Sequence, residues 1–424
     1  MDGAAAEWTT WIVFAGTYAG LAIGKIPGLH IDRAGIALAG ATLMLVTGQI
    51  TFRDAMSRES IDYPTLALLF GMMIVVGCLR LSGFFARLAG AAMARIRSPR
   101  ALLAATIALA GALSAFLIND VVCLALSPLV LHLARRLRFD PVPHLVALAT
   151  AANIGSVGTI TGNPQNIYIG SHSGISYLRF ALRLLPVATI GLVINYLVVA
   201  VVYRRSLAAT ADTQRTTDEP AEDDVPPQNR AVHRALRRKA VAVAVLTIAL
   251  FFTGLPLEVV ALAAAAFLLL GRVKSARIYA QVDWGLLMMF VGLFVVVHAF
   301  QVHVVSRWGI AGWHWLLDSP VDRMSLLSAG LSNLVSNVPA VLLLEPVVAA
   351  IGPSERETAW LALAMSSTLA GNLTVLGSVA NLIVVENARR GGVEISFWQY
   401  CKIGVPLTLL TLALGIAWFD FVRY

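Results

Sequence analysis

LSAFLINDVVCLALSPLV, residues Leu113–Val130, is apolar except at its centre, where Asn119 and Asp120 interrupt it. A near-copy, LSNLVSNVPAVLLLEPVV, returns at Leu331–Val348 and matches it at 7 of 18 positions, including Ser114/Ser332, Asn119/Asn337 and Pro128/Pro346. Two further pairs keep nearly the same spacing. Ile61-Asp62-Tyr63 with Gly71 answers to Val282-Asp283-Trp284 with Gly292, and Gly162-Asn163-Pro164-Gln165-Asn166-Ile167 answers to Gly377-Ser378-Val379-Ala380-Asn381-Leu382. Repetition with polar breaks inside apolar runs is the pattern of a duplicated membrane transporter.

Composition supports this reading. The 424 residues are 58% hydrophobic and 13% charged, and mean hydropathy is +0.77, with many runs of membrane-spanning length. The net charge of +8 does not signal nucleic acid, because the basic residues sit at the ends of apolar runs, where they set topology. Cys78, Cys123 and Cys401 are scattered singly, so neither a disulfide framework nor a metal motif is present. The N-terminal MDGAAAEW lacks a basic leader segment.

Ala101–Leu131 is apolar for 31 residues, with Arg95, Arg97 and Arg100 before it and Arg135, Arg136 and Arg138 after it. Both flanks therefore belong on the cytoplasmic side. Two full spans need about 40 residues, so the run predicts a re-entrant helical hairpin turning at Asn119-Asp120. Exposed backbone at such a turn is tolerated where it is buried or lines an aqueous cavity. The following span, about His144–Gly170, contains Gly155, Gly158, Gly162 and Pro164, which weaken a helix interior and predict an unwound middle.

The resulting expectation is an all-α polytopic membrane protein of two inverted repeats, each with five transmembrane helices and one hairpin. The first repeat covers 1–205 with its hairpin at 101–131, and the second covers 239–424 with its hairpin at 324–351. The acidic, proline-bearing segment 206–238 reads as a cytoplasmic linker. Lysine and arginine placement favours both termini outside the cytoplasm.

If the tips meet at mid-membrane beside the broken spans, polar side chains converge there: Asn119, Asn153, Thr159, Thr161, Asn163, Gln165 and Asn166 from one half, with Ser336, Asn337, Asn372, Thr374, Ser378 and Asn381 from the other. Half-helix N-termini add unpaired N–H groups. Asn337 followed by Pro339 reads as an N-cap. The competing reading is that these amides satisfy their own broken backbones. Asp120 is the candidate coupling residue, because a carboxylate at bilayer depth marks an ion or proton path; its alternative role is capping the return helix. Glu345 reads either as a second titrating group or as a solvated one, His298 as an interior histidine, and Cys123 as one thiol where arsenic chelation wants several. No Walker, HExxH or GxSxG motif is present, so the chain predicts neither an enzyme nor an ATP-driven pump, and no cofactor or metal site.

Asn-bearing hairpin tips followed by GTITGNPQNIYIG and GNLTVLGSVANLIVVE resemble the ion transporter superfamily, which includes arsenite/antimonite permeases, divalent-anion symporters and sodium/proton antiporters. The resemblance covers nearly all of the chain outside the linker. In the anion symporters each tip carries Ser-Asn-Thr, whereas here the triplets are Ile118-Asn119-Asp120 and Ser336-Asn337-Val338. The Asn-Asp tip looks more like the arsenite permease branch. The resemblance implies a homodimer in the bacterial inner membrane with an elevator-type motion, and an ATPase subunit as partner if the chain is an arsenite pump. The expected function is proton-coupled efflux of arsenite or antimonite, since the site holds amides and hydroxyls but no counter-cation, and arsenous acid is a neutral hydroxylated solute. The alternatives are ion-coupled symport of inorganic or dicarboxylate anions, and sodium/proton antiport.

Overall fold

A computed structural model describes residues 3–23, 31–93, 96, 98–208, 227–271, 273–307 and 320–422, and among these the regular structure is helical. The first half runs α1 (Gly3–Ile23), α2 (Arg33–Val46), α3 (Phe52–Ala55), α4 (Tyr63–Leu81), α5 (Phe84–Met93), α6 (Pro99–Phe116), α7 (Asn119–Arg136), α8 (Pro141–Ser156), α9 (Pro164–His172) and α10 (Tyr177–Val202). The second runs α11 (Pro227–Phe251), α12 (Leu257–Leu269), α13 (Ser275–Tyr279), α14 (Trp284–His303), α15 (Pro320–Val335), α16 (Asn337–Ala350), α17 (Pro353–Ala370), α18 (Val379–Arg390) and α19 (Phe397–Val422).

Local chemistry starts these helices where the sequence places a short polar side chain. Asp62 and Asp283 accept from the amides of Thr65 (3.3 Å) and Leu286 (2.9 Å) at the starts of α4 and α14. Ser98 and Asp140 do the same for α6 and α8, each with proline as the first helical residue. Prolines inside helices also fall in matching places, Pro128 and Pro346 in α7 and α16, Pro186 and Pro406 in α10 and α19.

Packing pairs the halves. Helix α4 lies on α12, and α14 on α2. The approach is backbone to backbone: a Cβ on Gly71 would stand 2.7 Å from the Ala261 carbonyl carbon, and one on Gly292 2.5 Å from that of Ala37. The paired glycines Gly71 and Gly292 therefore mark two matching close contacts.

Helices α6 and α7 pack on each other and on α8, as α15 and α16 do on each other and on α17. The first hairpin is longer than expected, because its arms continue into the polar flanks at Pro99 and Arg136. Its turn is also earlier. Leu117 and Ile118 carry it in extended conformations, and Asn119-Asp120 form the first turn of the return arm, where a carboxylate faces free amides. The second hairpin turns at Ser336 alone, with φ 79° and ψ 160°, so Asn337 is the first residue of α16 and not its N-cap. That conformation is essentially reserved for glycine. Ser336→Gly should therefore raise stability by about 1 kcal/mol, read as a higher Tm in detergent; a lower Tm would show that the serine is unstrained there.

The span expected at about His144–Gly170 is broken: α8 ends at Ser156, a 3-10 turn covers Ile160–Gly162, and α9 starts at Pro164. Its counterpart breaks between α17 and α18 around Val375–Gly377. Five described helices are long and apolar enough to cross a membrane, among them α4, α6 and α10. Others, such as α2 with 14 residues and α12 with 13, are shorter, about 20 Å of helix against a hydrocarbon core of about 30 Å. Of the expected linker, 209–226 lies outside the described residues, as do Arg95 and Arg97. From Pro227 onward the segment is helix, continuous with the first span of the second half.

Candidate functional site

The two breaks and the first hairpin tip meet in a buried network of amides and hydroxyls. Its hub is Asn153 on α8, which is 1% exposed. Asn119 donates to the Asn153 Oδ1 at 3.0 Å, as does Ser378 through its hydroxyl at 3.1 Å. The Asn153 Nδ2 donates onward to the Oδ1 atoms of Asn372 (2.9 Å) and Asn381 (3.0 Å). A hairpin tip, one broken helix and the opposite broken helix are thus tied through one side chain.

A second node lies at Thr368, which aligns with Asn153 in sequence when Gly377 is set on Gly162. The Asn163 and Gln165 amides both donate to its hydroxyl at 3.1 Å. Asn163 and Ser378 align in the same register, so each half sends one polar side chain to the sequence-matched residue of the other.

The breaks themselves are built alike. Asn166 donates to the carbonyls of Ser156 and Thr159, both at 3.0 Å, and Asn381 to the carbonyls of the sequence-aligned Gly371 (2.7 Å) and Thr374 (3.0 Å). These Nδ2 groups satisfy carbonyls released by helix interruption, and Asn163 caps α9 by accepting from the Asn166 amide at 2.8 Å. A Cβ on Gly162 would meet the Ser156 carbonyl oxygen at 2.3 Å, and one on Gly377 the Gly371 carbonyl oxygen at 2.9 Å, so glycine at both positions lets the chain fold back on itself. Asn372 also reaches the Thr150 carbonyl at 3.4 Å.

Thr159 and Thr161 serve the first hairpin. Thr159 donates to the Ala115 carbonyl and Thr161 to that of Phe116 at 3.4 Å, and Thr161 also bonds the Tyr177 hydroxyl at 2.8 Å. In the second hairpin, Asn337 with its amide in the satisfied orientation donates to the Ser367 and Gly377 carbonyls at 3.2 Å. Both tips therefore converge on the break between α17 and α18, Asn119 through Asn153 and Asn337 directly. Ser336 itself makes no capping bond with its side chain.

Two features leave capacity for a solute. The Asn119 Oδ1 is buried without a partner, as is that of Asn166, and so are the hydroxyls of Ser114 and Ser332, which the sequence repeat aligns. Buried polar atoms are normally satisfied, so these acceptors and donors are available. Asp120, half-buried on the first turn of α7, sets its carboxylate against the Ala380 amide at the start of α18. The chemistry on offer is hydrogen bonding from neutral groups, helix N-termini and one carboxylate; among the described residues no Lys or Arg side chain bonds into the cluster. Cys123 is buried, and among the described residues no three His, Cys, Asp or Glu side chains group as for a metal.

The sequence reading did not anticipate Thr368 or Ser156 in the network. It also did not anticipate a cavity of about 600 Å3 that shares no residue with the network and is lined by α4, α9, α12, α14 and α16, including Asp62, Tyr168, Glu258, His298 and Glu345. Glu345 accepts from the Tyr168 hydroxyl. The signal for Asp62 was present in the paired Ile61-Asp62-Tyr63 motif, but its contacts lie far away in sequence.

Comparison with known proteins agrees with this architecture. The chain superimposes on the Alcanivorax borkumensis YdaH transporter with a TM-score of 0.57 at 16% identity, covering 99% of this chain and 98% of that one. The Neisseria gonorrhoeae antimetabolite efflux pump MtrF gives a TM-score of 0.57 at 12% identity, covering 98% and 94%. These likenesses establish the fold. In sequence, the chain is 34% identical to the silicon efflux transporter LSI3 of Oryza sativa subsp. japonica, over 92% of this chain and 93% of the relative. It is 31% identical to the transporter Rv2684 of Mycobacterium tuberculosis, over 93% and 94%, and 26% identical to the putative transporter arsB of Dictyostelium discoideum, over 92% and 87%. The chain is a multi-pass cell-membrane protein of the ion transporter superfamily, a membrane transporter rather than an enzyme. With the citrate transporter family profile matching residues 10–370, it belongs to that family.

Proposed function

We propose that this transporter is a secondary active exporter of arsenite or antimonite, driven by exchange with protons. The observation that carries the reading is the buried Asn153 network, built from amides and hydroxyls without a cationic side chain. Arsenous acid is neutral near pH 7 and presents hydroxyls that both donate and accept, matching the open Asn119 Oδ1 and the Ser114 and Ser332 hydroxyls. Silicic acid shares that chemistry, and one relative is a silicon efflux transporter. Two inverted repeats, 1–205 and 239–424, joined by the linker 206–238 and moving elevator-fashion, fit the reciprocal bonds Asn163–Thr368 and Ser378–Asn153. Asp120 is assigned the coupling proton. A homodimer, and an ATPase subunit where export is pumped, accompany this reading.

The family description names citrate, a tricarboxylate, and so supports the broader second reading of anion transport, ion-coupled symport of an inorganic or carboxylate anion, dicarboxylates included. The N-termini of α9 and α18 at the site could hold such an anion, with sodium as partner ion. A sodium/proton antiporter would use Asp120 and neighbouring oxygens as the cation site.

Binding to detergent-purified protein separates these readings, because a ligand of the folded state raises Tm. Arsenous acid should raise it without sodium, while citrate, succinate and phosphate leave it unchanged. Stabilisation by one of those anions alone would replace the proposal with the second reading.

A further inference from the structure

The helices that carry the network touch the rest of the bundle along a seam, and polar contacts cross it at the cavity. The Asp62 carboxylate, at the N-terminus of α4, accepts from the Ser171 hydroxyl at 2.6 Å near the end of α9. Ser171 also bonds the Thr65 hydroxyl at 3.0 Å, and the His172 Nδ1 stands 3.5 Å from Asp62. Asp62 is held in place by its own cap, through the amide and hydroxyl of Thr65. A carboxylate already fixed by its helix therefore grips the end of the broken helix.

The repeat supplies an internal comparison. Asp283 caps α14 as Asp62 caps α4, and Asn387 on α18 occupies the place of His172 on α9. Yet α4 packs on α9, whereas α14 and α18 lack comparable packing. The side chain of Asp62 is 10% exposed, while Asp283 is exposed and holds the Leu286 amide of its own helix. Asn387 instead donates to Ser127 at 2.7 Å, within the hairpin and broken-helix group. One contact is closed and its counterpart open; the two share the capping aspartate but not the donor, because Glu386, paired with Arg389 and Arg390, stands where Ser171 does, leaving Asn387 as the group that could donate to Asp283.

We propose that the Asp62–Ser171–His172 contact is a latch that holds the conformation described here, and that the transport cycle exchanges it for closure of the Asp283 end of α14 against the Asn387 end of α18. The inference rests on the chain being a transporter with moving parts, but not on its solute. A hydrogen bond to a charged group biases a two-state equilibrium by on the order of tenfold or more, so removing Ser171's hydroxyl should populate the exchanged state by about that factor. Ser171→Ala leaves the Asp62–Thr65 cap of α4 untouched, which keeps folding out of the comparison.

The test uses the full chain in proteoliposomes. Asp283→Cys with Asn387→Cys forms a disulfide only when the open contact closes. With Ser171→Ala added, oxidative crosslinking of that pair should be on the order of tenfold faster. An unchanged rate, or no crosslinking in either protein, would overturn the proposal. In a second protein, Asp62→Cys with Ser171→Cys should form a disulfide that stops arsenite flux until it is reduced, and flux continuing through the crosslinked protein would also overturn it. If the parent carries no arsenite, the first arm still decides the latch, so failure of the solute assignment and failure of the latch are told apart.

Discussion

Asp120→Asn is expected to bind solute and exchange it across the membrane, yet to lose all accumulation driven by a proton gradient. Asp120 occupies the first turn of the hairpin's return arm with its carboxylate against the Ala380 amide of the opposite broken helix. It can therefore report its protonation to both halves through one contact. An asparagine keeps an oxygen for that amide and a similar shape, but cannot take up or release a proton. One-for-one exchange across one pH unit supports about tenfold accumulation, and the variant should show none, with counterflow of labelled solute preserved. Proton-driven accumulation at the normal level would remove Asp120 from coupling and leave it as a capping residue.

Asn153→Ala should be the most damaging single change in the network. The side chain satisfies four others: it accepts from Asn119 and Ser378 and donates to Asn372 and Asn381. Truncation leaves several buried polar groups without a partner, each costing about 1–3 kcal/mol. The total expected is about 2–5 kcal/mol, together with loss of solute binding, because the Asn119 amide loses its anchor. Ser378→Ala removes one of these bonds together with the cap that its hydroxyl gives the Ala380 amide at the start of α18, and should cost about 1–2 kcal/mol. Thermal unfolding of the two variants side by side checks the ordering. Equal losses would mean that Asn153 is one contact among several and not the hub.

The architecture was legible because it follows from large, additive quantities. A 31-residue apolar run between basic flanks leaves few options in a bilayer of fixed thickness, and Gly155, Gly158, Gly162 and Pro164 are a costly set in an uninterrupted helix. The tips were legible only to within a few residues. Two apolar residues, Leu117 and Ile118, make the first turn, and a serine at positive φ makes the second; no residue preference singles these out. Site membership was legible as a set, but roles were not. Asn166 and Asn381 share residue type and setting with Asn119, yet their Nδ2 groups go to carbonyls of their own breaks, while that of Asn119 reaches across to Asn153; the Oδ1 atoms of Asn119 and Asn166 are both left open. Which amide is occupied depends on how the chain folds back at Gly162 and Gly377. Thr368 and the Asp62–Ser171 contact were hidden for a different reason: their residue types are ordinary, and their partners lie in elements that only the packed bundle brings together.

The most direct test of the central claim is solute flux in proteoliposomes under separately imposed pH and sodium gradients, with arsenite, citrate, phosphate and succinate each offered. Saturable arsenite accumulation that follows the pH gradient, ignores sodium and disappears in Asp120→Asn is the predicted result. Sodium-dependent accumulation of citrate or another of the anions, with arsenite untouched, would contradict it.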